Sequence, residues 1–442
     1  MKSLSVCWLA AAQLSLAGPP VEPATAGTET SAKLTAQLSE RRYVEFEQSL
    51  SEAHDLVAPD RSFFSGILAS HKNQTAQSLR MLEPLLVQAP FASLSAEQRK
   101  LGWEALVDDY TKSFQYAKAA AADAQLLKQF TPLLTPCEKR ELASDRRECE
   151  LKMDYPPQTV KTAGPFTVQT KRDALGLIEG PVQIGGTTLW AVLDTGAGGT
   201  AITMTGARRL GLKISKGTST EFGATGRAVH AHAALLPKLQ IGTAEFQNVA
   251  AMVFDDRDLH IAPLHFELEM IIGYPAQAAL GRVTFYADGR MGACQPTDDQ
   301  GAAMFMDGNT PLIAAKTPKG ARLFSLDTGA WNTVLYDVYW RENEEAFSGR
   351  KPGSYRAWGV GGSRTLPAFS ASEVPLTFGT NSVVLHKIAV LTKPHLPGAE
   401  ELYYGNLGED LLRSLRSWTI DFQSMRFDIE PAAGAVPGTA QK

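Results

Sequence analysis

Two different periodicities divide the chain. From Ala32 to about Met153 apolar residues recur at helical spacing and β-branched runs are scarce. Leu34, Leu38, Tyr43, Phe46 and Leu50 share one face and predict a single amphipathic helix. Ile67-Leu68, Leu79, Leu82 and Leu85-Leu86 predict a helix pair punctuated near Asn73 and closed at Pro90. Trp103, Leu106, Tyr110, Phe114 and Tyr116 lead into an Ala-rich helix over 117–130. Tyr155-Pro-Pro-Gln158 breaks this pattern and marks a domain boundary.

Beyond it the pattern becomes that of short strands and Gly-marked turns. Thr167–Thr170 and Leu177–Ile184 lead through Gly185-Gly186, a hairpin signal, into the apolar run Trp190–Leu193. That run stops at Asp194-Thr195-Gly196-Ala197. A short helix over Met204–Leu212, closed at Gly211, follows, and then a hairpin from Leu239–Ile241 through Gly242 to Val249–Phe254. The same order returns: Leu312–Ala315, a turn at Pro318-Lys-Gly320, and an apolar run ending at Asp327-Thr328-Gly329-Ala330. Its hairpin echo is Leu376–Phe378, Gly379 and Val383–Val390. The polar stretch Gln295–Gly308 is the expected connection between the halves.

One Asp-Thr-Gly says little; two Asp-Thr-Gly-Ala tetrapeptides 133 residues apart, each ending an apolar strand, say much more. Further landmarks keep register. Phe222-Gly223-Ala-Thr-Gly226 and Trp358-Gly359-Val-Gly-Gly362 are Gly-rich hairpin signals, with Gly223 and Gly359 lying 29 and 32 residues after their Asp. Ile271-Ile272-Gly273 and Asn406-Leu407-Gly408 end 79 and 81 residues after it, and each precedes a strand, Val283–Tyr286 and Thr419–Phe422. A repeat of about 135 residues is too long for a solenoid unit and reads as two homologous lobes.

These residues resemble the aspartic proteases of the retropepsin/pepsin kind, in a bacterial-type single-chain form. The resemblance covers roughly residues 165–430. It implies an α+β multidomain protein, with an all-α region followed by a bilobal all-β protease fold. It implies catalysis by Asp194 and Asp327, loops supported by Thr195, Gly196, Thr328 and Gly329, and flap-like hairpins bearing Phe222, Gly223, Gly226, Trp358, Gly359 and Gly362. Two carboxyls held together cannot both ionise cheaply, so the pair keeps one proton and can activate a water against a peptide carbonyl. No metal or other cofactor is needed. Two departures stand out: Asn406 occupies a position the pattern keeps apolar, and neither hairpin tip carries a Tyr. The fourth loop position is Ala197 or Ala330 where many pepsin-like enzymes have a hydroxyl, which favours an optimum at mildly acidic or neutral pH. The helical region resembles degenerate tetratricopeptide pairs, although any antiparallel bundle has similar periodicity.

Composition narrows the picture a little. The 442 residues, 44% apolar and 20% charged, describe a globular protein of two or three domains. A net charge of −4 and no basic patch with aromatics give no reason to expect nucleic acid. Lys2, the apolar Leu4–Ala17 and small residues near Ala17 and Ala26 read as an export signal, with the periplasm as destination and the extracellular space open. Cys7 falls in that signal; Cys137, Cys149 and Cys294 remain. Cys137 and Cys149 can pair only if the chain turns between them, since on one helix they stand ~18 Å apart. His230 and His232 would share a strand face, without a third ligand at a recognisable spacing for a metal.

The expected organisation is a signal and linker over 1–26, a helical domain over 32–153, lobes over 160–296 and 305–430, and a disordered tail over 431–442. The leading expectation is a monomeric endopeptidase acting on polypeptides, with a possible protein partner at the helical domain. Two readings compete with it: a binding protein on a degenerate protease scaffold, and a zymogen that sheds residues 32–153.

Overall fold

The computed structural model describes residues 26–88, 94–223, 225–261, 266–293, 301–395 and 401–432. The export signal, Cys7, Cys294, Pro90 and nearly all of the tail lie outside them.

Seven α-helices occupy the described part of the N-terminal region: Ala26–Ser39, Tyr43–Glu52, Ala58–His71, Thr75–Glu83, Ala96–Lys112, Tyr116–Gln129 and Pro136–Lys152. The single helix expected over Leu34–Leu50 is therefore two. The chain breaks at Arg41, whose φ of 53° no right-handed helix tolerates. Asn73 (φ 57°) and Phe114 (φ 61°) make the same turn. In each, the following amide returns to a carbonyl of the previous helix: Arg42 to Gln37 at 2.8 Å, Gln74 to Ala69 at 2.8 Å, and Gln115 to Tyr110 at 2.7 Å. The segment closes as helix hairpins because these turns satisfy the last carbonyls. Capping boxes start two later helices, Ser95 with Gln98 and Thr135 with Glu138. Cys137 and Cys149 sit on the same unbroken helix and are both free thiols.

The helical core does not close on itself. Phe305, Leu312 and Leu323, from strands Ala302–Asp307, Thr310–Thr317 and Gly320–Leu326, are buried in one cluster with Phe46, Phe63, Phe64 and Leu106. Polar contacts reinforce this at two helix turns and along one helix. Arg41 pairs with Asp307 and donates to Tyr403 Oη at 2.8 Å; Tyr274 donates to Asn73 Oδ1 at 2.7 Å; the Gly308 amide reaches Asp108 at 3.2 Å. Ala302–Asp307 was expected within a polar connector. It is a strand instead, because Ala302, Met304, Phe305 and Met306 are all buried.

The β-rich part repeats one arrangement. Thr187–Leu193, which leads to Asp194, pairs in parallel with Met270–Ile272, matching Val192 to Ile271 and Leu193 to Ile272. Gly320–Leu326, which leads to Asp327, pairs in parallel with Gly405–Leu407, matching Ser325 to Asn406 and Leu326 to Leu407. In each half that second strand pairs antiparallel with the strand after the Asp loop, Thr200–Thr203 or Val334–Leu335. The Gly185-Gly186 turn (φ 55° and 82°) joins the hairpin in front of Asp194. Met204–Arg209 is the short helix, and Gly211 (φ 66°) closes it.

Six strands join the halves in one continuous sheet. Phe166–Gln169, Arg290–Ala293 and Arg282–Tyr286 come from the first half; Leu415–Asp421, Arg426–Pro431 and Ala302–Asp307 continue it in mirrored order. At its centre Thr284 faces Thr419, its counterpart 135 residues on, with the hydroxyls 2.8 Å apart. Phe285 stacks on Trp418 beside them at 4.2 Å.

Candidate active site

Asp194 and Asp327 emerge from their strands in the same way. The Asp194 amide donates to Ile272 O and the Asp327 amide to Leu407 O, both at 3.0 Å. Just past these strands lie Gly273 and Gly408, where the loops pass too close for a side chain. A Cβ on Gly273 would stand 2.1 Å from Gly199 O, and one on Gly408 would stand 2.8 Å from Ala330 O. The amides that follow fasten the loops: Tyr274 to Ala197 O and Glu409 to Ala330 O, each at 2.9 Å.

The two loops interlock through their threonines. The Thr195 amide donates to Thr328 Oγ1 at 2.9 Å, and the Thr328 amide to Thr195 Oγ1 at 3.1 Å. Each hydroxyl then donates across to the opposite strand, Thr195 to Leu326 O at 2.8 Å and Thr328 to Leu193 O. Both threonines are fully buried. A buried amide without a partner is costly, so this reciprocal set holds the loops at one separation.

That separation brings the carboxyls together. A Cβ on Gly196 would lie 2.5 Å from Asp327 Cγ, and one on Gly329 would lie 2.3 Å from Asp194 Oδ2. Each carboxyl is seated where the other loop has no side chain. Asp194 Oδ1 accepts from the amides of Gly196 (2.8 Å) and Ala197 (3.1 Å); Asp327 Oδ1 accepts from Gly329 (2.9 Å). Each carboxyl feels the other across the loops. Burial, and then the charge of Asp327, holds Asp194 above the ordinary carboxylate range. Burial also raises Asp327, against donation from Asn406. Two acids so placed cannot both ionise cheaply.

The Gly-rich hairpins approach from opposite halves and touch. Ser219–Phe222 and Ala228–Ile241 form one; Gly353–Gly359 and Gly362–Phe378 form the other, with Gly359 paired to Gly362. A Cβ on Gly223 would lie 2.6 Å from Val360 O, Arg227 donates to Gly361 O at 3.0 Å, and the Gly361 amide reaches Asp258 O at 3.1 Å. Val360 packs on a cluster containing Val192, Val229 and Ile271 of the first half, beside Ala197. Gly226, Gly361 and Gly362 take positive φ (68°, 82° and 123°), which lets the tips turn this tightly. Phe222 and Trp358 stay exposed at 40% and 37%, available to a ligand and outside the core.

Several residues here carry no signal in a motif. Trp331, directly after Ala330, is 47% exposed. Tyr355 on the second hairpin, and Tyr336, both feel the charge of Asp327. Glu409 is fully buried and paired with Arg172 from the other half. Thr333 donates its amide and hydroxyl to Asp410, each at 2.7 Å. His232 is occupied by the carbonyls of Ser215 and Gly217, at 2.8 and 3.0 Å, and His230 is exposed. Among the described residues no group of three or more His, Cys, Asp or Glu side chains could hold a metal ion.

Residues 180–276 match the aspartyl protease family. The match contains Asp194, the first hairpin tip and Ile271-Ile272-Gly273, and ends before Asp327. Among curated proteins none matches the chain. Among solved structures, a retropepsin-like aspartic protease from Rickettsia conorii is similar at 18% identity and a TM-score of 0.21, over 31% of this chain and 94% of its own.

Proposed function

We propose that the chain is an aspartic endopeptidase of bilobal, pepsin-like build, with both halves of its dyad in one polypeptide. The observation that carries this is the interlock: Thr195 and Thr328 bond reciprocally and press each Asp against the other loop's glycine. A scaffold that only bound peptides would have no need to hold two acids together at this cost. The ionised carboxyl takes a proton from a water as its oxygen adds to the scissile carbonyl carbon, while the protonated carboxyl gives its proton to the carbonyl oxygen. The tetrahedral diol collapses as the C–N bond breaks: one carboxyl gives its proton to the leaving nitrogen while the other takes a proton from a diol hydroxyl, which restores the singly protonated pair. No covalent intermediate is required.

The substrate class is an extended polypeptide lying between the dyad and the hairpins, whose strands offer main-chain pairing. Phe222, Trp331 and Trp358 would line subsites. The protein works as a monomer, exported by the segment Lys2–Ala17. The helix hairpins form a tetratricopeptide-like region that buttresses the protease and has an outer face free for a protein partner. Its shared core with Phe305, Leu312 and Leu323 speaks against a shed pro-segment. Incubating the full chain with an unstructured polypeptide between about pH 3 and pH 8, and sequencing the products, tests the reading. Internal cleavage with a maximum at mildly acidic or neutral pH is expected; no cleavage at any pH would oppose it.

A further inference from the structure

Behind their Asp loops the parallel strand pairs of the two halves differ in chemical kind at one register. In the first half, the parallel strands behind the loop match Val192 to Ile271, both apolar and buried. At the same register in the second half stand Ser325 and Asn406. This polar pair is aimed at the dyad: Ser325 Oγ donates to Asn406 Oδ1 at 2.6 Å, and Asn406 Nδ2 donates to Asp327 Oδ2 at 3.0 Å. Ser325 thereby fixes which end of the amide faces the carboxylate, because a donor held on Oδ1 leaves only the NH2 for Asp327. Asp194 has no counterpart, since Ile271 can donate nothing.

We infer that Asn406, oriented by Ser325, is a positioning residue that decides the roles within the dyad: it holds Asp327 ionised as the base and leaves the shared proton on Asp194 as the acid. This rests on the hydrolytic reading above. A donor aimed at Oδ2 favours the anion of Asp327 over its acid, and the singly protonated pair resolves into one dominant form. In the reaction, Asp327 accepts the proton of the attacking water and Asp194 protonates the carbonyl oxygen. Other groups facing the pair do not supply this bias. Tyr336 and Tyr355 face Asp327 as neutral phenols, both held above the ordinary Tyr range by burial, and Asp410 acts on Tyr355 with the wrong sign to favour an anion. The loop amides serve both carboxyls, Gly196 and Ala197 on Asp194 and Gly329 on Asp327, and so do not single out Asp327. The departure from an apolar residue at Asn406 thus has a chemical use.

The test replaces the polar pair by the apolar pair of the first half, Ser325→Val with Asn406→Ile, a combination the fold already accommodates at the equivalent register. The single Ser325→Ala keeps the donor and loosens its aim. In the pH profile of kcat/KM the acid limb reports ionisation of the doubly protonated dyad, and the alkaline limb reports loss of the second proton. Asp327 is already ionised before the second step, so only the acid limb responds to the donor. The double variant is expected to move the acid limb up by about one pH unit, with the alkaline limb and KM unchanged, and Ser325→Ala to move it less in the same direction. An acid limb that stays in place in both variants would overturn the inference. A carbon-13 titration of the Asp carboxyls, followed in wild type and the double variant, reads the same bias without turnover. If wild type cleaves nothing, a changed titration sustains the assignment while the hydrolytic reading fails, and an unchanged one removes both.

Discussion

The backbone of Gly329 lies directly against the carboxyl of Asp194: a methyl group there would stand 2.3 Å from Oδ2. The reverse contact, Gly196 against Asp327, is equally tight at 2.5 Å. Loop backbone and opposing carboxyl therefore share one space, and it is the absence of a side chain that lets the dyad form. Gly329→Ala and Gly196→Ala should each push the carboxyls apart and lower kcat about 100-fold or more, since small misplacement at a reacting centre is costly. The thermal midpoint should fall only slightly, as neither glycine has a positive φ. Steady-state kinetics beside a melting curve check this; a variant with unimpaired kcat would show that the carboxyls need not touch.

Stability should fall as pH rises. Asp109, Asp123 and Glu409 are fully buried, and burial lifts them to about 6, 8 and 7 respectively. Each is raised above its unfolded value, so its contribution is complete below the unfolded value near 4 and is lost as pH climbs through the folded one. His71 works at the other end. Burial lowers it to about 4, so its contribution is complete above the unfolded value and is lost on acidification. Three carboxyls outweigh the one imidazole, so the melting temperature should be highest at about pH 4 and fall toward about pH 9. Both carboxyl oxygens of Asp123 lack a hydrogen-bond partner. Asp123→Asn should therefore raise the midpoint by a few °C at about pH 9 and change it little at about pH 5. An equal effect at both pH values would show that ionisation of Asp123 is not the cause.

The helical region should not be removable. Phe305 belongs to the β-rich part by sequence and to the helical core by packing. Phe305→Ala should cost about 3–5 kcal/mol, as for a buried aromatic that leaves a cavity. A chain starting at Gly164 would expose Phe305, Leu312 and Leu323 together and should aggregate. Denaturant unfolding and gel filtration decide this. A soluble, active chain from Gly164 would instead support a pro-segment.

Much of this was legible in the chain because it is written in local pattern. The two Asp-Thr-Gly-Ala stops, the strands before them and the Gly-rich hairpins are all short-range signals, and the structure places them at equivalent points of two similar sheets. Where the pattern misled, a distant contact decided. Leu34 to Leu50 keep one apolar face across the break at Arg41, because both helices address the same core; the break is set by the turn that brings Arg41 to Asp307. Ala302–Asp307 reads as part of a polar connector because its flanks are polar, yet its apolar residues are claimed by the helices and the shared sheet. Asn406 is visible in the sequence only as a departure from an apolar pattern. Its use depends on Ser325, 81 residues away, and on a parallel register that no local spacing reveals. The pairing of Arg172 with Glu409 spans the halves and is equally silent.

The central claim is that one chain supplies both acids of one dyad. The most direct measurement compares cleavage of an unstructured polypeptide by wild type, Asp194→Asn, Asp327→Asn, and an equimolar mixture of the two variants. Wild type should cut, each variant should lose about 1,000-fold or more, and the mixture should stay as inactive as its parts. Activity in either single variant, or its recovery on mixing, would contradict a dyad built within a single polypeptide.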